Sequence, residues 1–504
     1  MLNFACPSSL PIIIFLLPAL FVSYILYKYL KNPLRHVPAA HPLAPFTSLW
    51  ILYIRLYAIE NRTLKAAHER LGPVICLSPE EISVNCVKGG IRDVYAGGME
   101  KGEEGKSVVT SSSALQAQSS AILYNRFLPF LSSILSQANP GVLNIYALLS
   151  ATTMDIVTSY IFGLASGSNL IDNPDKLDRF LDLYNSRRSH NFWPQELPRF
   201  TKALQKWVGY RLVPKWVEEA NAEIEGWTKG MCDNAIKVLR QSGVKTKDIP
   251  IVYQRLSTAL SREAKNSDNE KADLTLSIAS EVLDHLAAGF DTSGITLTYL
   301  IHELSLRPDA QSRLRSELLT LSPPLSPSSA PTLPDPKTVD TLPLLHAVIW
   351  ETLRLHPAIP GPQPRVTPLS GCHLGPEECS FYIPGGVRVS ASAGLLHMNE
   401  DVYPEATQWR PERWLEDVSE EKRKDMESRW FWAFGRLGRN LLLETVAEEC
   451  VLEAIWRFTY IVAALYSNFT TTIVDDTDIE QSDAYTAPPK SDKLMIKLSH
   501  VKSG

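Results

Sequence analysis

Ala288-Gly289-Phe290-Asp291-Thr292-Ser293-Gly294 sets a carboxylate beside an alcohol in the middle of an otherwise apolar helical run. An acid and a hydroxyl next to each other can hand a proton along, which makes Asp291 and Thr292 candidate catalytic groups. Glu351 and Arg354 lie three residues apart in a second apolar segment, on one helix face. Two further guanidinium groups follow, Arg365 in Pro364-Arg365 and Arg413 in Pro411-Glu412-Arg413-Trp414. A planar guanidinium binds a carboxylate through two parallel hydrogen bonds, so these arginines are suited to an acidic side chain or an acidic ligand.

Long amphipathic segments must carry these groups. Apolar spacing predicts helices over Leu64–Leu71, Leu115–Gln137, Ile145–Gly163, Asp175–Ser186, Lys202–Ser242, Leu274–Leu306 and Leu342–His356. The motif with Asp291 falls in the longest of these, where Val282, Leu286 and Phe290 mark an apolar face. Its glycines suggest a helix thinned to admit a flat ligand. Short strands are expected around Val74-Ile75, Leu77 and Ile82–Val84, and a small sheet from Phe469 to the closing LMIKL run. Ser322–Pro336 holds 6 prolines in 15 residues and reads as a surface loop between patterned helices. The fold class is mainly α with a minor β part. Asp475–Asp483 reads as a solvated acidic turn.

Leu10–Tyr27 is eighteen residues without a charge, followed at once by Lys28, Lys31 and Arg35. That is long enough for a single membrane span, and the basic flank keeps the rest of the chain on the cytosolic side. Residues 1–31 are therefore read as an N-terminal membrane anchor and residues 32–504 as one domain, located at the endoplasmic reticulum membrane. The sequons at Asn61 and Asn468 would then go unused. With 50 Lys+Arg against 55 Asp+Glu, no excess of basic charge points to nucleic acid. Seven scattered cysteines fit neither a disulfide scaffold nor a zinc site.

In order and spacing, Ala288–Ser293, Glu351–Arg354 and Pro411–Trp414 resemble the three ordered motifs of the cytochrome P-450 family of haem-thiolate monooxygenases. The stretch Tyr466–Leu494 is similar to family members from filamentous fungi that tailor secondary metabolites. The resemblance implies a cytochrome P-450-like domain that inserts one oxygen atom into a lipophilic small molecule. It would use haem, iron and oxygen, with electrons from an NADPH-dependent flavoprotein reductase. By the same resemblance, Asp291 and Thr292 would relay protons. Arg365 and Arg439 would contact the cofactor, and Glu351, Arg354 and Arg413 would form an ion-pair triad bracing the haem loop.

That loop, Phe434-Gly435-Arg436-Leu437-Gly438-Arg439-Asn440-Leu441-Leu442-Leu443, keeps Phe434 and Arg439 but carries Leu441 where the family has its iron-ligating cysteine. Leucine has no lone pair for a metal, so the sequence provides no metal ligand at this position. Cys450, nine residues on, reads as a structural thiol. Residues 95–110 (YAGGMEKGEEGKSVVT) hold no arginine, histidine or tryptophan where the family meets the haem propionates. The expectation is a monooxygenase homologue impaired at its iron ligand. The alternative is an inactive, haem-free relic, or a non-catalytic binding partner with the same fold.

Overall fold

A computed structural model describes residues 22–96, 113–136, 140–266, 274–434 and 458–501. Its described residues are mostly helical with minor strands. They fall into two compact units, the described residues up to 96 together with Gly361–Leu396, and the described residues from 113 to Pro360 together with those from His397 on.

The first unit is built on a four-stranded sheet, ordered Val74–Ser78, Glu81–Val84, Arg388–Ala391 and Arg365–Val366. Glu81–Val84 runs parallel to Arg388–Ala391 and the other pairs are antiparallel. Helices Leu49–Leu56 and Glu60–Leu71 pack Ile51, Ile54, Leu64 and Ala67 against Ile75 and Leu77. Of the expected anchor, residues 22–31 are described; they are helical and largely exposed. The remainder lies outside the described residues. Among these, the helix long and apolar enough to cross a membrane is Ile145–Phe162, and it is 94% buried inside the second unit.

The second unit is helical, closed by a three-stranded sheet of Val142–Asn144, Met495–His500 and Phe469–Asp475. The terminal pairing expected from the sequence is present, and Val142–Asn144 joins it as a third strand that the sequence pattern does not announce. At the centre lie two helices, Ile145–Phe162 and the 32-residue Leu274–Ser305. The first buries five serine and threonine side chains and an aspartate. Thr152 and Thr158 return their hydroxyls to carbonyls one turn back, at 2.7 Å, which meets the need of a polar group removed from water.

Several boundaries differ from expectation for identifiable reasons. The run Lys202–Ser242 is two helices, Pro198–Val208 and Lys215–Leu239. Gly209, at φ 74°, closes the first in a left-handed cap and Pro214 precedes the second. Leu115–Gln137 becomes Ser113–Ile122 and Leu128–Ile134 joined by a π-turn at Leu123–Phe127, next to Pro129, which has no N–H to donate. Helices Ile251–Asn266 and Pro308–Leu318 add to those expected. The proline-rich segment is the surface loop expected, and it is tied down at several points. Leu325 is buried in the core, and the carbonyls of Leu325, Pro331, Thr332 and Pro334 accept from Asn468, Ser120, Tyr124 and Tyr460.

Candidate functional site

Glu351 and Arg354 stand on the helix Pro343–Leu355, and Arg413 on the single turn Pro411–Trp414. All three are buried. Arg354 grips Glu351 through both carboxylate oxygens, Nε to Oε2 at 3.0 Å and Nη2 to Oε1 at 2.7 Å. Arg413 Nε lies 3.1 Å from each oxygen of the same carboxylate. The Trp414 indole and the Arg410 backbone N–H each donate at 2.9 Å, so Glu351 has no acceptor capacity left over. The outer faces of the two arginines donate to the carbonyls of His397, Pro404, Ala406 and Gln408. One carboxylate thus holds the whole irregular stretch from His397 to Trp414, which has little regular structure of its own. In low dielectric such a group holds together only because each charge is both paired and hydrogen-bonded.

Asp291 sits midway along Leu274–Ser305 and is also buried. Arg188, from the turn Arg187–His190, donates to its Oδ1 at 3.2 Å, and the Tyr184 hydroxyl to Oδ2 at 3.4 Å. The Thr486 side chain also helps to hold the carboxyl down. Burial raises the Asp291 carboxyl above the ordinary range, and Arg188 opposes that rise without cancelling it. Arg188 reaches onward to Asp492 at 2.9 Å. The Asp492 side chain is 39% exposed, so a line of polar groups runs from Asp291 to solvent. Thr292, by contrast, is only half-buried although Asp291 and Ser293 on either side are buried, and its hydroxyl donates to the Ala288 carbonyl at 2.7 Å.

The glycines of this motif do not thin the helix for a ligand, as the sequence suggested. A Cβ on Gly289 would stand 2.9 Å from Val157 Cγ2, and one on Gly294 3.3 Å from Ser150 Oγ. Both glycines face the buried helix Ile145–Phe162, and between them Thr153 donates to the Phe290 carbonyl at 3.1 Å. Their work is close helix packing, which fixes where Asp291 and Thr292 stand. The groups that sequence reasoning missed are Arg188, Tyr184 and Asp492. They lie far from Asp291 in the chain, and no local pattern singles them out.

Arg365 belongs to the first unit. Its guanidinium lies 4.8 Å over the ring of Tyr95 and donates to its own neighbour, the Pro364 carbonyl. Among the described residues it has no carboxylate partner, so it remains available to an acidic ligand. Arg439 and Leu441 lie outside the described residues, as do Cys450 and most of the 95–110 link. The donor set therefore fits the haem that the resemblance implies only in part. Within the first unit, the guanidinium of Arg365, which has no carboxylate partner among the described residues, is suited to a propionate. The side chain at the iron position, Leu441, cannot coordinate.

Comparison with known proteins agrees with the ordered motifs. A family model for cytochrome P-450 matches residues 130–439, more than half of the chain, and its match ends two residues before Leu441. The chain is 28% identical to the cytochrome P-450 monooxygenase avaI of Aspergillus versicolor, over 53% of this chain and 56% of that one. It is 28% identical to the cytochrome P-450 monooxygenase ankB of Aspergillus thermomutatus, over 64% and 58% respectively. With the tryprostatin B 6-hydroxylase of Aspergillus fumigatus it shares 25% identity over 80% and 70%. The chain spans just over half the length of the first two of these relatives. With the glutamate–arginine group, the acid–alcohol helix and this match in agreement, the chain belongs to the cytochrome P-450 family, whose cofactor is haem and whose members draw electrons from a redox partner.

Proposed function

We propose that this chain derives from a monooxygenase of fungal secondary metabolism, acting on a lipophilic small molecule, and that with its present sequence it does not perform haem-thiolate chemistry. The observation that carries this reading is Leu441 at the position of the iron ligand, just past the end of the family match. A thiolate donor pushes electron density toward O–O cleavage, and a hydrocarbon side chain supplies none. In a chain with the ligand restored, Arg365 and Arg439 would bind the porphyrin, while Asp291 and Thr292 would hold protons beside it. The relatives support the substrate class, since one is named for hydroxylating tryprostatin B. The test is a difference spectrum of the expressed 504-residue protein, reduced and exposed to carbon monoxide. No thiolate-type band is expected, and a strong one overturns the reading.

A second reading, a haem-free binding protein with the same fold, rests on the same leucine. Its support is that the buried framework does not depend on the iron ligand: Glu351, Arg354 and Arg413 are fully paired by protein groups alone.

A membrane location on the cytosolic side of the endoplasmic reticulum, with a flavoprotein reductase as electron donor, completes the proposal. The charge-free run at Leu10–Tyr27 supports it. So does the helix Pro198–Val208, which has no buried residue and exposes Phe200, Trp207 (79%) and Val208 (70%) beside Lys202 and Lys206. An aromatic face flanked by lysines is suited to an anionic lipid surface. Deleting residues 1–31 should release much of the protein from membranes in a flotation assay. Glycosylation at Asn468 would contradict the orientation.

A further inference from the structure

His397 is fully buried, and neither the ion-pair group nor the acid–alcohol pair accounts for it. Its ring Nε2 accepts the backbone N–H of Trp432 at 2.8 Å. A backbone amide can only donate, so Nε2 must be unprotonated and the ring proton sits on Nδ1. From there it is donated to the Arg354 carbonyl at 3.0 Å. Arg354 closes the circuit by donating from Nη1 to the His397 carbonyl at 3.0 Å. The imidazole also stacks on Phe431, with ring centroids 5.4 Å apart and planes at 20°. Phe431 in turn meets Trp414 edge-on at 5.7 Å, and the Trp414 indole donates to Glu351. Two separate routes therefore lead from Glu351 to Phe431 and Trp432, and the histidine is the polar one.

We propose that His397 is a positioning residue: it transmits the fixed placement of the Glu351–Arg354–Arg413 group to Phe431–Phe434, the residues that lead into the segment where the family carries its iron ligand. No other side chain type of this size offers one donor and one acceptor at this separation in a rigid ring. Lysine and arginine have no acceptor, and asparagine is too short to reach both groups. The proposal concerns the protein framework and holds whether or not a porphyrin binds.

Amide hydrogen exchange of the full chain, read by mass spectrometry with fragmentation to single amides, tests it. In the parent protein the Trp432 amide should be among the slowly exchanging ones. His397→Asn keeps a donor toward Arg354 but loses the acceptor for Trp432. It should speed exchange across residues 430–434 about tenfold or more while leaving residues 145–162 unchanged, since the loss is local. His397→Gln restores an acceptor at the longer reach and should recover most of the protection. A Trp432 amide that already exchanges like an exposed loop overturns the proposal. So does a His397→Asn effect spread equally over residues 145–162. Failure of both variants to fold would show that His397 supports the whole unit, which overturns a positioning role as well.

Discussion

Glu351 and Asp291 are both buried carboxylates of the helical unit, and both face arginine, but they are satisfied to different degrees. Glu351 receives six hydrogen bonds from Arg354, Arg413, Trp414 and the Arg410 backbone, all at 2.7–3.1 Å. The contacts from Arg188 and Tyr184 to Asp291 are longer, 3.2 and 3.4 Å, and Arg188 Nε meets no acceptor among the described residues. Arg188 is also 21% exposed and shared with Asp492. A carboxylate with every lone pair used stores rigidity, because any displacement breaks several charge-assisted bonds at once. A carboxylate raised by burial and held by one shared arginine can exchange a proton. The first kind of site suits a framework, and the second kind suits proton exchange.

The largest effect follows from the first. Glu351→Ala leaves two buried guanidinium groups without their common anion, a type of loss that costs about 3–5 kcal/mol. Against a total of about 5–15 kcal/mol for an ordinary domain, soluble yield and melting temperature should fall sharply. A variant melting like the parent would mean that the carbonyls of residues 397–408 alone hold the arginines. The contrast between the two carboxylates would then fail.

Arg188→Met tests the second site. It leaves Asp291 buried beside the Tyr184 phenol, and partial exposure of Arg188 tempers the cost to about 1–3 kcal/mol. Asp291→Asn in the same chain removes the stranded charge, so the double variant should recover most of that loss. The coupling measured by denaturant melts of all four proteins should be clearly non-zero. Additive effects would show that the pair does not interact in solution.

Acid separates the sites further. Burial, with Arg354 nearby, lowers His397 to about 3, and burial lowers His68 to about 4. A folded-state value below the ordinary imidazole value of about 6.5 means that the unfolded chain takes up the proton more readily. The stability from these neutral rings is therefore fully present above pH 6.5 and is lost as pH falls toward 4 and then 3, by about 1 kcal/mol per pH unit for each ring. His397→Gln should flatten this slope in the range 6.5 to 4. An unchanged slope would assign the acid sensitivity elsewhere.

The helix framework is largely legible because burial writes a 3.6-residue period into the sequence, as in Ile145–Gly163 and Leu342–His356, placed to within a residue or two. The break at Gly209–Pro214 is hidden although both residues signal it, because the apolar period resumes in phase beyond them. The members of the Glu351 group are recognisable from ordered motifs, and the structure brings all three together. Arg188, Asp492 and His397 are not. A partner more than a hundred residues away in the chain leaves no period, and a lone arginine or histidine has many unremarkable uses.

Glycine packing gives the smallest effect and the sharpest internal control. Gly289, two residues before Asp291, lies against Val157, whose branched side chain is stiff at χ1 and buried. Gly289→Ala should push the two central helices apart locally and cost about 1–2 kcal/mol despite alanine's better helix propensity. Gly226, on Lys215–Leu239, has no atom within 4 Å of where its Cβ would stand. There the same change should stabilise by about 0.5–1 kcal/mol, since only the propensity term remains. Combining Gly289→Ala with Val157→Ala should cost less than the two changes summed, because the new methyl occupies the space that valine vacates. If Gly289→Ala melts like Gly226→Ala, the helices are not in close contact at Asp291. The position of the acid would then depend on Arg188 alone, a weaker support than two packed helices.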